Sequence, residues 1–232
     1  MERLDKIIAA QTGYSRKEVK DLVRQKRILL DDKIVTKSDV KIDPNTSEIK
    51  VDGQIISVKK YVYLMLNKPQ GYISATEDKS MATVLELVPQ EYLHRNLFPA
   101  GRLDRDTTGL MLITDDGEFA HNILSPKKHI TKTYNVTIDT AMTNNMVTGF
   151  KNGVMLNDGE CASSTLEITG ENTGIVILTE GRYHQIKRMF GCFGAKVTKL
   201  ERIAMGNFYL PSDLLPGECR EFTTEELKKI TE

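Results

Sequence analysis

Residues 101–117 read Gly101-Arg102-Leu103-Asp104-Arg105-Asp106-Thr107-Thr108-Gly109-Leu110-Met111-Leu112-Ile113-Thr114-Asp115-Asp116-Gly117. The first half of this stretch is charged, hydroxyl-bearing and opened by glycine, which is the composition of a loop. Residues 110–113 form an unbroken apolar run of the length of one buried strand, and Asp-Asp-Gly ends it. Asp104 is therefore expected in a loop at the mouth of a sheet and not on a solvated helix face. Chemistry alone leaves its carboxylate with two readings, a candidate catalytic group or a turn residue paired with Arg102 or Arg105.

On either side of this stretch the pattern is one of strands mixed with helices. Residues 61–66 are strand-like, and Asn67-Lys68-Pro69-Gln70-Gly71 reads as a turn, because proline fixes φ and glycine permits a positive one. Residues 132–138, Lys-Thr-Tyr-Asn-Val-Thr-Ile, alternate as a half-buried strand. Residues 174–179 read as a buried strand, Glu180-Gly181 as a turn and residues 182–190 as a helix. With no internal repeat, the expectation is an α+β fold with a mixed, mostly antiparallel sheet.

The amino end follows a different pattern. Leu4, Ile7 and Ile8 fit one face of a short helix that Gly13 breaks. Ser15 and Glu18 then form a capping box ahead of the apolar stripe Val19, Leu22 and Val23. At about 100° per residue, Lys17, Lys20, Arg24 and Arg27 fall within roughly 80° of one another, away from that stripe. Such a face suits phosphate contacts, and it equally suits plain solvation. Short β-like pieces follow at residues 28–30, 34–35 and 48–51, with turns at 31–32, 43–45 and 52–53.

The overall balance of 32 basic and 32 acidic residues hides a division along the chain. Through Lys60 there are fourteen Lys and Arg against ten Asp and Glu, so the net of +4 there is matched by −4 in the remainder. The basic end is where RNA is expected. The apolar runs are far shorter than the roughly 18 residues of a membrane span, and the first residues carry no apolar signal core, which predicts a cytoplasmic protein with no membrane partner. Three well-separated cysteines and four histidines without metal-ligand spacing predict neither a disulfide framework nor a metal site.

The stretch Gly-Arg-Leu-Asp, two variable residues, Thr, then Gly and a buried strand resembles the catalytic-aspartate motif of RNA pseudouridine synthases, in particular the type acting on small-subunit ribosomal RNA. Leu66-Asn67-Lys68-Pro69 with Gly71-Tyr72, Lys132-Thr133-Tyr134, Gly181 through Met189, and Leu215-Pro216-Gly217-Glu218 running to Leu227 match further motifs of that family. The first 58 residues resemble the alpha-L RNA-binding domain, carried by Arg3-Leu4-Asp5-Lys6, Ser15-Arg16 and the Asp-Gly turn. The resemblance implies two domains, residues 1–58 for RNA binding and residues 59–232 for catalysis.

It also implies roles. Asp104 would supply the nucleophilic or basic carboxylate, and Lys187 would pair with it in a place where many relatives have arginine. Tyr134 would stack on the extruded uracil and take the proton from ring carbon five, although a tyrosine on an alternating strand is otherwise a core residue. Arg102 would fill the space the base vacates, Ile186 would pack below the base, and His184 is read as structural. Lys132, Arg182 and Arg188, with Lys127, Lys128, Lys196, Lys199 and Arg202, flank these motifs as candidates for the RNA path.

The isomerisation detaches uracil, rotates it and reattaches it without gain or loss of atoms, so no cofactor is expected. The implied substrate is ribosomal RNA or a ribosome-assembly intermediate, bound by a monomer. Two alternatives remain at this level: the same reaction on large-subunit ribosomal RNA, and a noncatalytic RNA-binding assembly factor.

Overall fold

A computed structural model describes residues 1–44 and 46–232; the turn expected over residues 43–45 reaches Asn45, which lies outside the described residues. The chain forms two compact units, Met1–Val62 with Pro89–Leu97, and Tyr63–Val88 with Phe98–Glu232.

In the first unit, β1 (Glu2–Arg3) leads into α1 (Leu4–Gln11), and α2 (Arg16–Arg24) follows after Gly13, whose φ of 67° only glycine adopts freely. The capping box forms as expected, Glu18 N–H donating to Ser15 Oγ at 3.2 Å and Ser15 N–H to Glu18 Oε2 at 2.7 Å. Strands β2 (Ile28–Leu30), β3 (Lys33–Ile34), β4 (Lys41–Ile42), β5 (Ile49–Val51) and β6 (Gln54–Ile55) come next. They pair in the order β3-β2-β5-β6, with β1 on β4. Leu4, Ile7, Ile8, Val19, Leu22 and Val23 close over Ile28, Ile49 and Val51 to make this unit's core.

The basic helix is shorter than its periodicity predicts. Lys26 takes a φ of 59°, so that Lys26 N–H donates to Val23 O and Arg27 N–H to Leu22 O, the pair of bonds that closes a helix in a Schellman turn. Arg27 consequently lies beyond the helix, not on its face, and its guanidinium forks onto Asp52 with two bonds of 2.6 Å. Arg24 stays on the helix and pairs with Asp21 at 2.9 Å. Lys17 and Lys20 keep the expected exposed helical position, with no carboxylate paired to either among the described residues. Within the same unit Arg95 donates to Lys59 O, Lys60 O and Gln11 Oε1, tying residues 59–60 to α1.

The second unit holds one large sheet. Its strands are β7 (Tyr63–Lys68), β8 (Phe98–Pro99), β9 (Thr108–Thr114), β10 (Lys132–Ile138), β13 (Thr165–Ile168), β14 (Thr173–Leu178), β15 (Val197–Met205), β16 (Phe208–Tyr209) and β17 (Cys219–Glu221). A separate hairpin pairs β11 (Met155–Leu156) with β12 (Gly159–Glu160). The sheet order is β13-β14-β10-β15-β9-β7-β17, with β16 on β15 and β8 on β9. Every strand pairing in it is antiparallel except β9 with β15. The sheet is therefore mixed and mostly antiparallel, as expected. Helices α4 (Asn144–Asn152) and α5 (Gln185–Gly191) bury Met146, Phe150, Ile186, Met189 and Phe190 against Val136, Val176 and Leu200. Helices α3 (Gly117–Leu124) and α6 (Thr224–Thr231) bury Ala120, Ile123 and Ile230 with Met65, Leu110 and Met205.

Two local differences from the sequence reading matter for the site. Strand β7 runs two residues later than expected and takes in Asn67 and Lys68, because Asn67 N–H bonds Glu218 O and Lys68 pairs in register with Gly109. Helix α5 starts at Gln185 and not at residue 182, since His184 sits at a left-handed φ of 49° that no helix continues. Among the described residues, no helix is long and apolar enough to cross a membrane.

Candidate active site

The parallel pairing places the start of β9 beside the end of β15, with Thr108 opposite Glu201 and Gly109 opposite Arg202. The two backbones come so close that a Cβ on Gly109 would overlap the carbonyl oxygen of Arg202; Gly109 also has a φ of 96°. Glycine is required there on both counts. On its other side β15 meets β10 through a bulge, Thr133 opposite Ala204 but Tyr134 opposite Arg202, which leaves Ile203 as the extra residue. Leu200 and Arg202 of β15, Lys132 and Tyr134 of β10, and Leu178 of β14 thereby share the floor of one cavity of about 360 Å³. Residues 101–104 form one wall and residues 180–187 the other.

Asp104 lies on the first wall, in the loop before β9. The loop is held from below. Ser74 Oγ donates to Leu103 O and accepts from Leu103 N–H, both at 2.9 Å. Lys68, fully buried, donates to Thr107 O at 2.8 Å, Pro69 O at 3.1 Å and Arg105 O at 3.3 Å. Burial pushes its pKa down to about 8, against the pull of Asp106 and Asp104.

On the opposite wall, Gln185 fixes the approach to α5: its amide nitrogen donates to Glu180 Oε1 at 2.7 Å and its oxygen accepts from Arg182 N–H at 2.9 Å. Ile186 is buried beneath the cavity. Lys187 faces it, with Nζ 2.8 Å from Asp104 Oδ2 and a second bond to Asp106. Burial works to lower the Lys187 pKa, and the bonds to Asp104 and Asp106 outweigh it, leaving the group above its ordinary value. Burial acts to raise Asp106, yet the bond from Lys187 holds that carboxyl below the usual range. Of the partners considered from sequence, neither Arg102 nor Arg105 is Asp104's: Arg105 Nε donates to Gly71 O, and Arg102 is exposed on the cavity wall. Tyr134 is half-buried, packing against the core while also lining the cavity.

Other candidates occupy quieter positions. Arg188 forks onto Asp158 and Arg182 donates to Gly159 O at 2.8 Å and to Glu160 O, so both hold the β11-β12 hairpin. Lys132 is buried with one long bond of 3.5 Å to Thr179 O. Burial, reinforced by the charge of Arg202, pushes its pKa down to about 8.

Sequence reasoning misses four participants. His184, read as structural, reaches to 3.4 Å from Asp104 Oδ1 while its ring stacks on Tyr183 at 3.8 Å. Asp106 shares Lys187, and Lys68 and Ser74 shape the loop. The unbroken apolar run ahead of Lys68 is the one available signal for that lysine's burial. No group of three or more His, Cys, Asp or Glu residues arranged to hold a metal occurs among the described residues.

The family model of RNA pseudouridylate synthase matches residues 62–191, and the S4 domain model matches residues 2–47. An uncharacterized RNA pseudouridine synthase of Bacillus subtilis is 41% identical, over 99% of this chain and 98% of its own. The ribosomal small subunit pseudouridine synthase A of Yersinia pestis is 38% identical, over 98% and 97%. A pseudouridylate synthase crystal structure covers 99% of this chain and all of its own, at 36% identity and a TM-score of 0.70.

Proposed function

The chain belongs to the RNA pseudouridine synthase family, with an S4 domain at its amino end, and from that premise we propose that it isomerises one uridine of small-subunit ribosomal RNA. The observation that carries the reading is the carboxylate of Asp104, held 2.8 Å from the Lys187 ammonium at the wall of a cavity sized for a nucleoside. The full-length likeness to a relative named for the ribosomal small subunit supports the substrate class.

Asp104 acts as the nucleophilic or basic carboxylate, and the ammonium of Lys187, 2.8 Å away, orients it. The target base leaves its stack and enters the cavity, where Tyr134 stacks on it and Ile186 supports it from beneath. Arg102, exposed beside the cavity, occupies the gap left in the RNA. Residues 1–58 grip flanking RNA through Lys17 and Lys20, with Arg24 and Arg27 available once their acidic partners are displaced; Arg182 and Arg188 continue the contact in residues 59–232. The protein acts as a cytoplasmic monomer without cofactor, on rRNA or on an assembling particle.

Mapping pseudouridine in total ribosomal RNA, with and without the protein, tests this. Loss of one small-subunit site is expected. Loss of a large-subunit site would move the substrate to the other subunit, and an unchanged map would replace the enzyme with an assembly factor.

A further inference from the structure

Two of the side chains lining the cavity are cations that no acidic group among the described residues neutralises. Arg202 is 2% exposed and Lys132 is 5% exposed. Arg202 Nε donates to Leu110 O at 2.6 Å, but its Nη2 has no hydrogen-bond partner among the described residues. Lys132 has only its 3.5 Å bond to Thr179 O, and neither residue forms an ion pair with a carboxylate among the described residues. The buried Thr107 Oγ1 there is also without a hydrogen-bond partner among the described residues. Desolvated charges without a counter-charge are a cost that folding does not recover, and they gather where a ligand supplies the missing charge.

Resting on the reading above, we infer that Lys132 and Arg202 form an anion-stabilising floor for the uracil ring, taking up the negative charge that the base carries between detachment and reattachment. The chemistry requires such a charge by every route open to Asp104. If its carboxylate attacks the ribose carbon C1′, or removes a ribose proton, the C1′–N1 bond breaks and its electron pair leaves on the base. If it adds to ring carbon six, the displaced pair moves onto the ring carbonyl O4. In each case the ring holds one negative charge until carbon five bonds C1′, a step that expels Asp104 from C1′, is accompanied by return of the ribose proton, or, on the ring-addition route, breaks the C1′–N1 bond. Loss of the proton on carbon five, with expulsion of Asp104 from carbon six on that last route, and gain of a proton by N1 then complete the isomer without net change of atoms. Fixed cations bordering a developing anion lower such a barrier. The burial of the pair favours a base over an exposed phosphate: Lys132 and Arg202 are almost wholly covered and line the cavity together with Leu178 and Leu200.

Lys132→Met is the central test, because methionine keeps the volume and deletes the charge. With an rRNA transcript containing the target site, single-turnover rates are expected to fall about 10²-fold, as when one oxyanion donor is lost, while RNA affinity and its salt dependence stay unchanged. Arg202→Lys is expected to retain more rate than Arg202→Met. A second measurement needs no RNA: barbiturate, a planar ring anion, should bind the wild-type protein about 10²-fold more tightly than neutral uracil, a preference that Lys132→Met removes. Equal binding of barbiturate and uracil, or no binding of barbiturate, would overturn the inference. So would a salt dependence flattened in Lys132→Met with the saturated rate intact, which would make the lysine a phosphate contact. Because the barbiturate comparison involves no RNA, a wild-type protein inactive on the transcript would count against the substrate reading alone.

Discussion

Lys187 Nζ lies 2.8 Å from Asp104 Oδ2 and at the same time bonds Asp106, so one ammonium is shared by two carboxylates that flank a single arginine. The Asp106 carboxyl sits below its ordinary 3.8 and the Lys187 ammonium above its ordinary 10.5. The carboxylate's contribution to stability is complete above pH 3.8 and fades as pH falls through the lower folded value; the ammonium's is complete below pH 10.5 and fades as pH rises through the higher one. Lys187→Met should therefore flatten the acid limb of urea-unfolding midpoints measured from neutrality down through pH 3.8. An acid limb identical to wild type would mean that the shared contact does not form. Lys187→Arg should keep both the limb and most of the activity, since the charge survives.

Asp104→Asn changes the charge at nearly constant volume and leaves the Ser74 and Lys68 contacts of the loop in place. Turnover should be abolished, while RNA affinity and melting temperature stay close to wild type. Filter binding beside tritium release from carbon-five-labelled RNA separates the two; turnover above about a hundredth of wild type would remove Asp104 from the nucleophile's role.

Lys68 and Lys132 are both buried with pKa values pushed down to about 8, yet their removal should act in opposite directions. Lys68→Met orphans the carbonyls of Pro69, Arg105 and Thr107 and should cost about 2–3 kcal/mol. Lys132→Met discards a charge with one weak partner and should raise the melting temperature, stability gained against activity lost. Between about pH 8 and 9 the unfolded chain retains protons that both folded lysines are releasing, so wild-type stability should rise with pH across that window. From about pH 9 Cys219, raised by burial to about 12, acts in the opposite sense and blunts the rise. Denaturant midpoints that fall across the same window would contradict the burial of both charges.

Tyr134 offers a ring and a hydroxyl, and substitutions separate them. Base stacking is worth about 1–3 kcal/mol, so Tyr134→Ala should weaken RNA binding and turnover together, whereas Tyr134→Phe should keep the binding and stall before carbon five loses its proton. Wild-type turnover by the Phe variant would leave Tyr134 as a platform only. Wild-type turnover by both would return it to the core.

On the first unit, Lys17→Gln with Lys20→Gln should weaken RNA binding and flatten the dependence of log affinity on log salt by about 0.7–0.9 for each phosphate no longer neutralised. Arg24→Gln should do less, because Asp21 already neutralises that side chain at 2.9 Å. Unchanged slopes would reduce the helix face to a solvated one.

What the sequence discloses and what it withholds follow the range of the interactions. The capping box at Ser15, the alternation of residues 132–138 and the loop character of residues 101–107 are encoded within a few neighbouring positions, and the chain adopts them. The periodicity overruns the end of α2 because Lys26 takes a left-handed φ that a helical period does not register. Lys68 reads as a turn residue because its partners, Arg105 and Thr107, lie nearly forty positions away. The family resemblance brings Asp104, Tyr134 and Lys187 to notice, but not the contact of His184 with Asp104, which goes with the left-handed backbone at His184 itself. The bulge that sets Tyr134 opposite Arg202 likewise has no signal in an alternating strand.

The parallel pairing of β9 with β15 has a kinetic consequence. Gly109 and Arg202 must meet across more than ninety intervening residues, and the walls and floor of the cavity come from residues 101–107, 132–134, 178–187 and 200–202. Closing so long a loop carries an entropic cost that local hairpins avoid, so this seam is expected among the last to form. During synthesis the residues around Asp104 emerge well before β15 does. A nascent chain that has not yet exposed residue 205 can hold β7 against β9 but has no floor on which to place a base. The onset of activity in refolding is thus expected to lag the recovery of secondary structure, which makes turnover a clock for the final closure of the sheet.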